Sequence, residues 1–388
     1  MKKKIAILGS TGSIGKNLFK ILKKDKIKFE ITLLTANKNV NELLKQVKIF
    51  NVKNVIVTDN KKFLYLKKIL HKSKIKIYNN FDNIDYIFSK KKNDYVMSSI
   101  TGIEGLDPTL KIIKHTKKIA IANKESIVCG WSLIHQRLSK FNTKFIPVDS
   151  EHFSIFSLMG ASKNHNIKNV YITASGGPFF NLPLNKFKSI NINSALNHPN
   201  WKMGKKISID SATMMNKVFE IIEAKKIFNL QYKQLKILIH PKSYVHALIQ
   251  FKNGLTKILI HDTNMIIPIF NSLYELNEKT IKSKKLDFPI INDLRFEKIN
   301  LKRFPVVKIL NNMQNDHTLF ETIIVAANDH LVQMFLNNKI QFLDISRILL
   351  KILKNKEFTK YKQIKPKNIA EILKLNQYVR LKISSIDI

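Results

Sequence analysis

At 388 residues the chain is too long for one typical hydrophobic core, and 44% hydrophobic with 9% aromatic residues excludes a disordered polymer. Its single cysteine, Cys129, rules out an intramolecular disulfide and fits a reducing, cytoplasmic setting. A net charge of +39 suggests nucleic acid, yet the lysines run from end to end among abundant Ile and Asn, the bias of an A/T-rich coding sequence, and no stripe or module motif accompanies them.

The basic start and four-residue apolar run IAIL are too short for a signal peptide, and no apolar run approaches a membrane span of about 18 residues. Instead IAIL leads into GSTGSIG and the helical pattern KNLFKILKK. Strand, glycine turn and helix form the context in which a backbone can approach a pyrophosphate at a helix N-terminus. The second strand, FEITLLTA, ends in Asn37, Lys38 and Asn39. Amides and a lysine there, where an acidic residue would hold ribose hydroxyls, favour NADP(H) over NAD(H). Further strand–helix alternation to about residue 150 predicts a Rossmann-like, doubly wound parallel sheet over 1–150.

Asn123, Lys124 and Glu125 follow the strand KKIAIA, either as ligand contacts at a strand's carboxyl end or as a solvated turn opening a helix. In PVDSEH, Asp149 and Glu151 are two apart in extended chain and point the same way. With one further carboxylate they would suit Mg²⁺ or Mn²⁺; the alternative is a helix-capping turn. Ser175-Gly176-Gly177 after YITA reads as an anion nest or as a plain turn.

The stretch His198–Glu223, HPNWKMGKKISIDSATMMNKVFEIIE, carries the densest chemistry. Asn216, Lys217 and Glu220 share a helix face, with Ser211 expected one turn before, an arrangement suited to a small anion beside a divalent metal. Asn253-Gly254 marks a hairpin within ILIHPKSYVHALIQFKNGLTKILIHD. His240, His246 and His261 there read as structural histidines rather than metal ligands. Residues 276–303 read as a linker, and four amphipathic patterns beyond it as a C-terminal helical bundle over 304–388.

GSTGSIG, ANKES, PVDSEH, ASGGPF, HPNWKMGKKISIDSATMMNK and IHPKSYVHA, in this order, resemble the 1-deoxy-D-xylulose 5-phosphate reductoisomerase family over nearly the whole chain. The resemblance implies an NADPH-dependent isomerase and oxidoreductase making 2-C-methyl-D-erythritol 4-phosphate for isoprenoid precursors. It implies a cytoplasmic homodimer with one divalent cation, Mg²⁺, Mn²⁺ or Co²⁺, and no specific nucleic acid or membrane partner. Thr11, Gly12, Ser13 and Ile14 would line the NADPH pyrophosphate, Asn37, Lys38 and Asn39 its adenosine end, and Asn123, Glu125 and Gly204 further parts of the cofactor. Asp149, Glu151 and Glu220 would hold the metal, with Lys124, Ser150 and Glu151 beside the reacting carbons. Ser175, His198, Ser211, Asn216 and Lys217 would contact substrate, mostly at its phosphate, under a lid loop at about 197–206 carrying Trp201 and Met203. A catalytic domain over 151–275, with a sheet used in dimerisation, completes the implied α/β organisation. Lys124, Asp149, Glu151, Glu220 and His198 form its catalytic set.

Three features depart from the family pattern: Asn37 in place of a common glycine, the segment IHDTNMIIPI after the hairpin, and Asp329 in place of Glu. The nearest competing enzyme, a semialdehyde or acyl-phosphate dehydrogenase, needs a cysteine nucleophile, and Cys129 in its apolar run reads as packed.

Overall fold

The computed structural model describes residues 1–388 except 90, 161–165, 202, 275–278 and 386–388. Lys202 of the expected lid and the first residues of the expected linker therefore lie outside the described residues.

The chain divides into two compact units, residues 1–127, 132–149 and 265–281 in one and residues 128–131, 150–264 and 282–388 in the other. The first unit carries β1 (Lys3–Leu8), α1 (Ser13–Lys24), β2 (Phe29–Ala36), α2 (Val40–Phe50), β3 (Asn54–Val57), α3 (Asn60–Ile69), β4 (Lys76–Tyr78), α4 (Ile84–Ile87), β5 (Asn93–Ser98), α5 (Leu106–Ile113), β6 (Thr116–Ile121), most of α6 (Lys124–Phe141) and β7 (Lys144–Pro147). The second carries α7 (Ser150–Met159), β8 (Ile167–Ala174), α8 (Ile192–Leu196), α9 (Lys205–Thr213), α10 (Met215–Ile227), β9 (Leu235–Ile239), β10 (Val245–Phe251) and β11 (Thr256–Ile260). The chain then returns α11 (Ile266–Leu273) to the first unit. It ends in the second with α12 (Phe288–Asn292), β12 (Glu297–Lys298), α13 (Phe320–Leu336), α14 (Phe342–Lys354), α15 (Lys356–Thr359) and α16 (Ile369–Ser384).

The first unit is the expected parallel sheet, seven strands in the order β4-β3-β2-β1-β5-β6-β7. Strands buried on both faces need unbroken apolar runs, and Ile5, Ala6, Ile7 and Leu8 of β1 are fully buried. α11 contributes Ile269 and Leu273 to this core, and Ser272 hydrogen-bonds the Tyr95 hydroxyl at 2.8 Å.

The second unit holds a mixed five-stranded sheet, β11-β10-β8-β9-β12. The hairpin expected at Asn253-Gly254 joins antiparallel β10 and β11. Residues expected as linker give β12, paired with β9, so part of that stretch is sheet edge. The helical end belongs to this unit rather than standing apart. Two polar ties inside the unit account for that. Lys226 of α10 pairs with Glu321 of α13 at 3.1 Å, and Asn328 of α13 donates to Asp210 of α9 at 2.8 Å. All four side chains are buried, where breaking such a pair is costly.

Candidate active site

The glycine turn is built as its sequence requires. Gly9 has φ +82°, and a Cβ on Gly15 would lie 2.5 Å from the Gly9 carbonyl oxygen, so neither position accepts a side chain. Gly12 is the N-cap of α1, and Thr11, Ser13 and Ile14 surround that helix start. The turn is pinned to the end of β2, Gly9 N–H donating to Thr35 Oγ1 at 2.8 Å. Beyond β2, Asn37 donates to Thr58 Oγ1 at 2.8 Å, and Asn39 caps α2 by accepting from Glu42 N–H. Lys38 is exposed between them.

Asn123 is the N-cap of α6, accepting from Ser126 N–H at 2.6 Å and donating to the carbonyls of Ile100 and Gly102. The capping alternative describes Asn123, but its surroundings are not solvated. Lys124 and Glu125 are buried in the helix's first turn, and Lys124 pairs with Asp149, where this unit's second segment ends.

In the second unit α7 starts at Ser150, so Glu151 stands in its first turn, where a carboxylate is favoured by the helix dipole. Ser150 Oγ donates to Glu151 Oε2 at 2.6 Å. Lys217 Nζ pairs with both Glu151 and Glu220, and Asn216 donates to the other oxygen of Glu220. Glu151 and Glu220 offer carboxylate oxygens within 4.8 Å of each other. Glu220 is 1% exposed and Lys217 7%, so this is a buried two-to-one charge cluster. Burial alone would lower the Lys217 pKa; Glu151 and Glu220 outweigh it and hold the ammonium above its ordinary value.

The expected single helix through Ser211 and Glu220 is two helices. α9 ends at Thr213, and Met214 takes a left-handed conformation, φ +71°, before α10 begins. Nothing in the apolar periodicity betrays the break, because Met214 is itself buried. The kink does not separate the pieces of the site. Gly177, with φ +70°, is pressed so close to the end of α9 that a Cβ would sit 2.9 Å from the Ser211 carbonyl oxygen. That packing brings the Ser175–Gly177 turn against the helix end carrying Ser211. Ser175 accepts from Gly177 N–H at 3.0 Å.

His198 joins this turn to the lid. Its Nδ1 lies 3.1 Å from Asn200 N and 3.0 Å from Trp201 N, both donors, and its Nε2 lies 3.1 Å from Ser175 Oγ. Nδ1 must therefore accept, which leaves Nε2–H to donate to Ser175. Burial and then the Lys217 charge push the His198 pKa down to about 4, so this neutral tautomer holds at neutral pH.

Asn200 and His152 emerge as contributors that motif reading passed over. Asn200 donates to Pro241 O at 2.7 Å and Ser243 Oγ at 2.9 Å, and the Trp201 ring meets His246 edge-on at 6.2 Å. The lid segment thus rests on the HPKS turn, and His246, the ring beside Trp201, stacks on His261 at 3.7 Å as a packing group. His152, 1% exposed, hydrogen-bonds the Glu220 carbonyl at 2.9 Å and so ties α7 to α10. Asn200's place inside HPNW and His152's place directly after PVDSE were the available signals. Gly204, the remaining expected cofactor contact, is the N-cap of α9 and is exposed, as is the helix start after it; Met203 is half-buried. Asp329 pairs with Lys206 of α9 at 3.0 Å, so the departure from Glu is absorbed in the support of α9. Cys129 is fully buried within α6.

A parallel sheet opening on a glycine turn, in one chain with paired carboxylates gathered on a buried lysine, defines a nucleotide-dependent α/β enzyme. Known proteins narrow this class. Family models described as 1-deoxy-D-xylulose 5-phosphate reductoisomerase match residues 5–130, its C-terminal domain residues 145–228, and a DXP reductoisomerase C-terminal domain residues 261–382. A Pelagibacter ubique protein named 1-deoxy-D-xylulose 5-phosphate reductoisomerase is 62% identical over 387 residues, covering 100% of both chains. The reductoisomerase from Zymomonas mobilis in complex with NADPH superposes with a TM-score of 0.88 at 30% identity, covering 99% of each chain. A DOX-P reductoisomerase in complex with NADPH, fosmidomycin and magnesium gives 0.90 at 30% identity, covering 99% of this chain and 98% of that one. The chain belongs to the 1-deoxy-D-xylulose 5-phosphate reductoisomerase family.

Proposed function

We infer that the protein converts 1-deoxy-D-xylulose 5-phosphate to 2-C-methyl-D-erythritol 4-phosphate, an isomerisation followed by reduction with NADPH and assisted by a divalent cation, in non-mevalonate isoprenoid precursor synthesis. The observation that carries this reading is the cluster of Glu151 and Glu220 on Lys217, with Asn216 on the same helix face.

The donor set fits a hard divalent cation. Two buried carboxylates repel unless a positive charge lies between them, and all-oxygen donors suit Mg²⁺, Mn²⁺ or Co²⁺. Glu151, Glu220 and Asp149, two residues before Glu151 in the chain, would hold it. Each faces an ammonium here, Lys217 for the two glutamates and Lys124 for Asp149. When bound, the cation supplies charge stabilisation at the substrate's keto and hydroxyl oxygens, and NADPH supplies the hydride.

The protein's own residues bind and orient. Ser175, Ser211, Asn216 and Lys217 take the phosphate, which does not react, so its binding energy positions the end that does. Once the carboxylates have a divalent partner, the Lys217 charge is available to that phosphate. His198 donates through Nε2 and anchors the lid through Nδ1, while Trp201 and Met203 exclude water. Thr11 to Ile14, Asn37 to Asn39, Asn123, Glu125 and Gly204 serve NADPH, and Lys124 and Ser150 stand by the reacting carbons. In this division residues 1–150 serve the cofactor, 151–275 the chemistry and 304–388 the support of α9, with 276–303 between them.

No helix among the described residues is long and apolar enough to cross a membrane. A cytoplasmic homodimer is the finer reading. The edge strand β11, with Ile258 43% exposed and Leu255 just before it 58% exposed, supports a sheet-edge interface. The deciding experiment is NADPH oxidation with 1-deoxy-D-xylulose 5-phosphate, with and without Mg²⁺ or Mn²⁺. Metal-dependent turnover with strong preference for NADPH is expected; a folded sample inactive with either metal would refute the reading.

A further inference from the structure

We propose that Lys62 determines the cofactor preference as a second cation for the adenosine 2′-phosphate, and that Tyr65 offers the adenine a ring face. This rests on the NADPH reading above and assigns residues that neither the glycine turn nor the Asn37–Asn39 segment contains.

A cleft of about 210 Å³ lies where β2 gives way to α2, lined by Lys38, Asn39, Val40, Asn41, Lys62 and Tyr65. The first four follow β2, and the last two come from α3, the helix after β3. β2 and β3 are neighbours in parallel register, Ala36 opposite Val57, so their carboxyl ends open on the same side. The glycine turn closes β1, the other neighbour of β2. Strands stand about 4.8 Å apart, so the cleft lies one to two strand spacings from the pyrophosphate position, where an attached ribose brings its 2′ substituent.

The chemistry of the lining selects among cofactors. Two ammonium groups, two carboxamides and a phenol surround the cleft, and no carboxylate lines it. The nearest acids in sequence are occupied at helix starts: Asp59 accepts from Lys62 N–H at 2.9 Å, and the Gln46 amide donates to Glu42 at 3.2 Å. A phosphate dianion in the cleft meets Lys38 and Lys62 from two different helices' ends, whereas a bare ribose hydroxyl would meet two cations and no carboxylate to hold it. Tyr65 is 50% exposed, one helical turn from Lys62, so its ring stays open to a planar base.

The test is cofactor binding to the full-length protein by nucleotide fluorescence, for wild type, Lys62→Ala and Tyr65→Ala, with NADPH and NADH. Lys62→Ala should weaken NADPH about tenfold, one charge-assisted contact, and leave NADH affinity unchanged. Tyr65→Ala should weaken both cofactors by the same factor. In competition, 2′,5′-ADP should displace NADPH better than 5′-ADP from wild type and lose most of that advantage on Lys62→Ala. NADPH affinity within twofold of wild type in Lys62→Ala, or equal losses for both cofactors, would overturn the assignment of Lys62. Unchanged affinity for both cofactors in Tyr65→Ala would overturn the role of Tyr65. Wild type without a preference for NADPH would overturn the cofactor reading itself, a result separable from either variant's.

Discussion

Replacing Lys217 by Met tests the charge cluster directly. The ammonium is the partner that Glu151 and Glu220 share, and both Lys217 and Glu220 are buried. Removing one member of a buried pair leaves charge without compensation and costs about 3–5 kcal/mol. Met keeps the length of the stem, so little of the loss comes from a cavity. At roughly 2–4 °C per kcal/mol for a large domain, the metal-free variant should melt on the order of 10 °C below wild type. Mg²⁺ or Mn²⁺ should recover more of that deficit than it adds to wild type, because no ammonium competes for the carboxylates and binding to the folded state alone adds stability. Thermal unfolding with chelator and with each metal reads both quantities. Turnover should stay low even with metal, since the phosphate contact proposed for Lys217 is gone. A metal-free variant as stable as wild type, or a metal shift no larger than wild type's, would refute the cluster's role.

Other outcomes follow from the same geometry. Glu220→Gln should cut turnover by more than about a hundredfold and abolish the metal-induced shift in melting temperature; unchanged metal dependence would remove Glu220 from the ligand set. The folded pKa of His198, about 4, lies below its ordinary 6.5, so the neutral ring's contribution is fully present above pH 6.5 and is lost as pH falls through 4. With Trp131 replaced by Phe, Trp201 fluorescence should report lid loosening across that window, and His198→Asn should abolish the transition. Asn328→Ala removes a buried donor to Asp210 and should destabilise the protein by about 1–3 kcal/mol in urea unfolding. Cys129→Ala should leave kcat intact; activity lost without unfolding would revive a thiol mechanism.

Patterns with a local cause were legible in the sequence. Short apolar runs alternating with helical patterns placed the parallel strands, and Asn253-Gly254 placed the hairpin between β10 and β11. Asn216, Lys217 and Glu220 could be put on one face because they lie within one uninterrupted helix. What escaped depended on distant packing. The break at Met214 comes from a non-glycine residue in a left-handed conformation, which no local rule anticipates. His152 and Asn200 act through backbone carbonyls far along the chain, at Glu220 and Pro241, and residue type alone carries no sign of such partners. The helical end read as separate because its amphipathic faces are self-consistent, while its ties to α9 and α10 are a few buried polar pairs.

α11 sets a schedule for folding on the ribosome. The nucleotide unit is interrupted after Asp149 and resumes at Met265, so residues 150–264 must be made first. At synthesis rates of about 5–20 residues per second this delay is roughly 6–23 s, long beside the folding time of most small domains. Until then the nascent sheet lacks Ile269 and Leu273 over its core, and the Tyr95 hydroxyl lacks Ser272. Throughout that interval a sticky apolar face is presented to the cell, which makes this intermediate a natural client for chaperones. A fragment ending at Asp149 would inherit the same exposed face permanently, and should be isolated as aggregate unless α11 is supplied in trans.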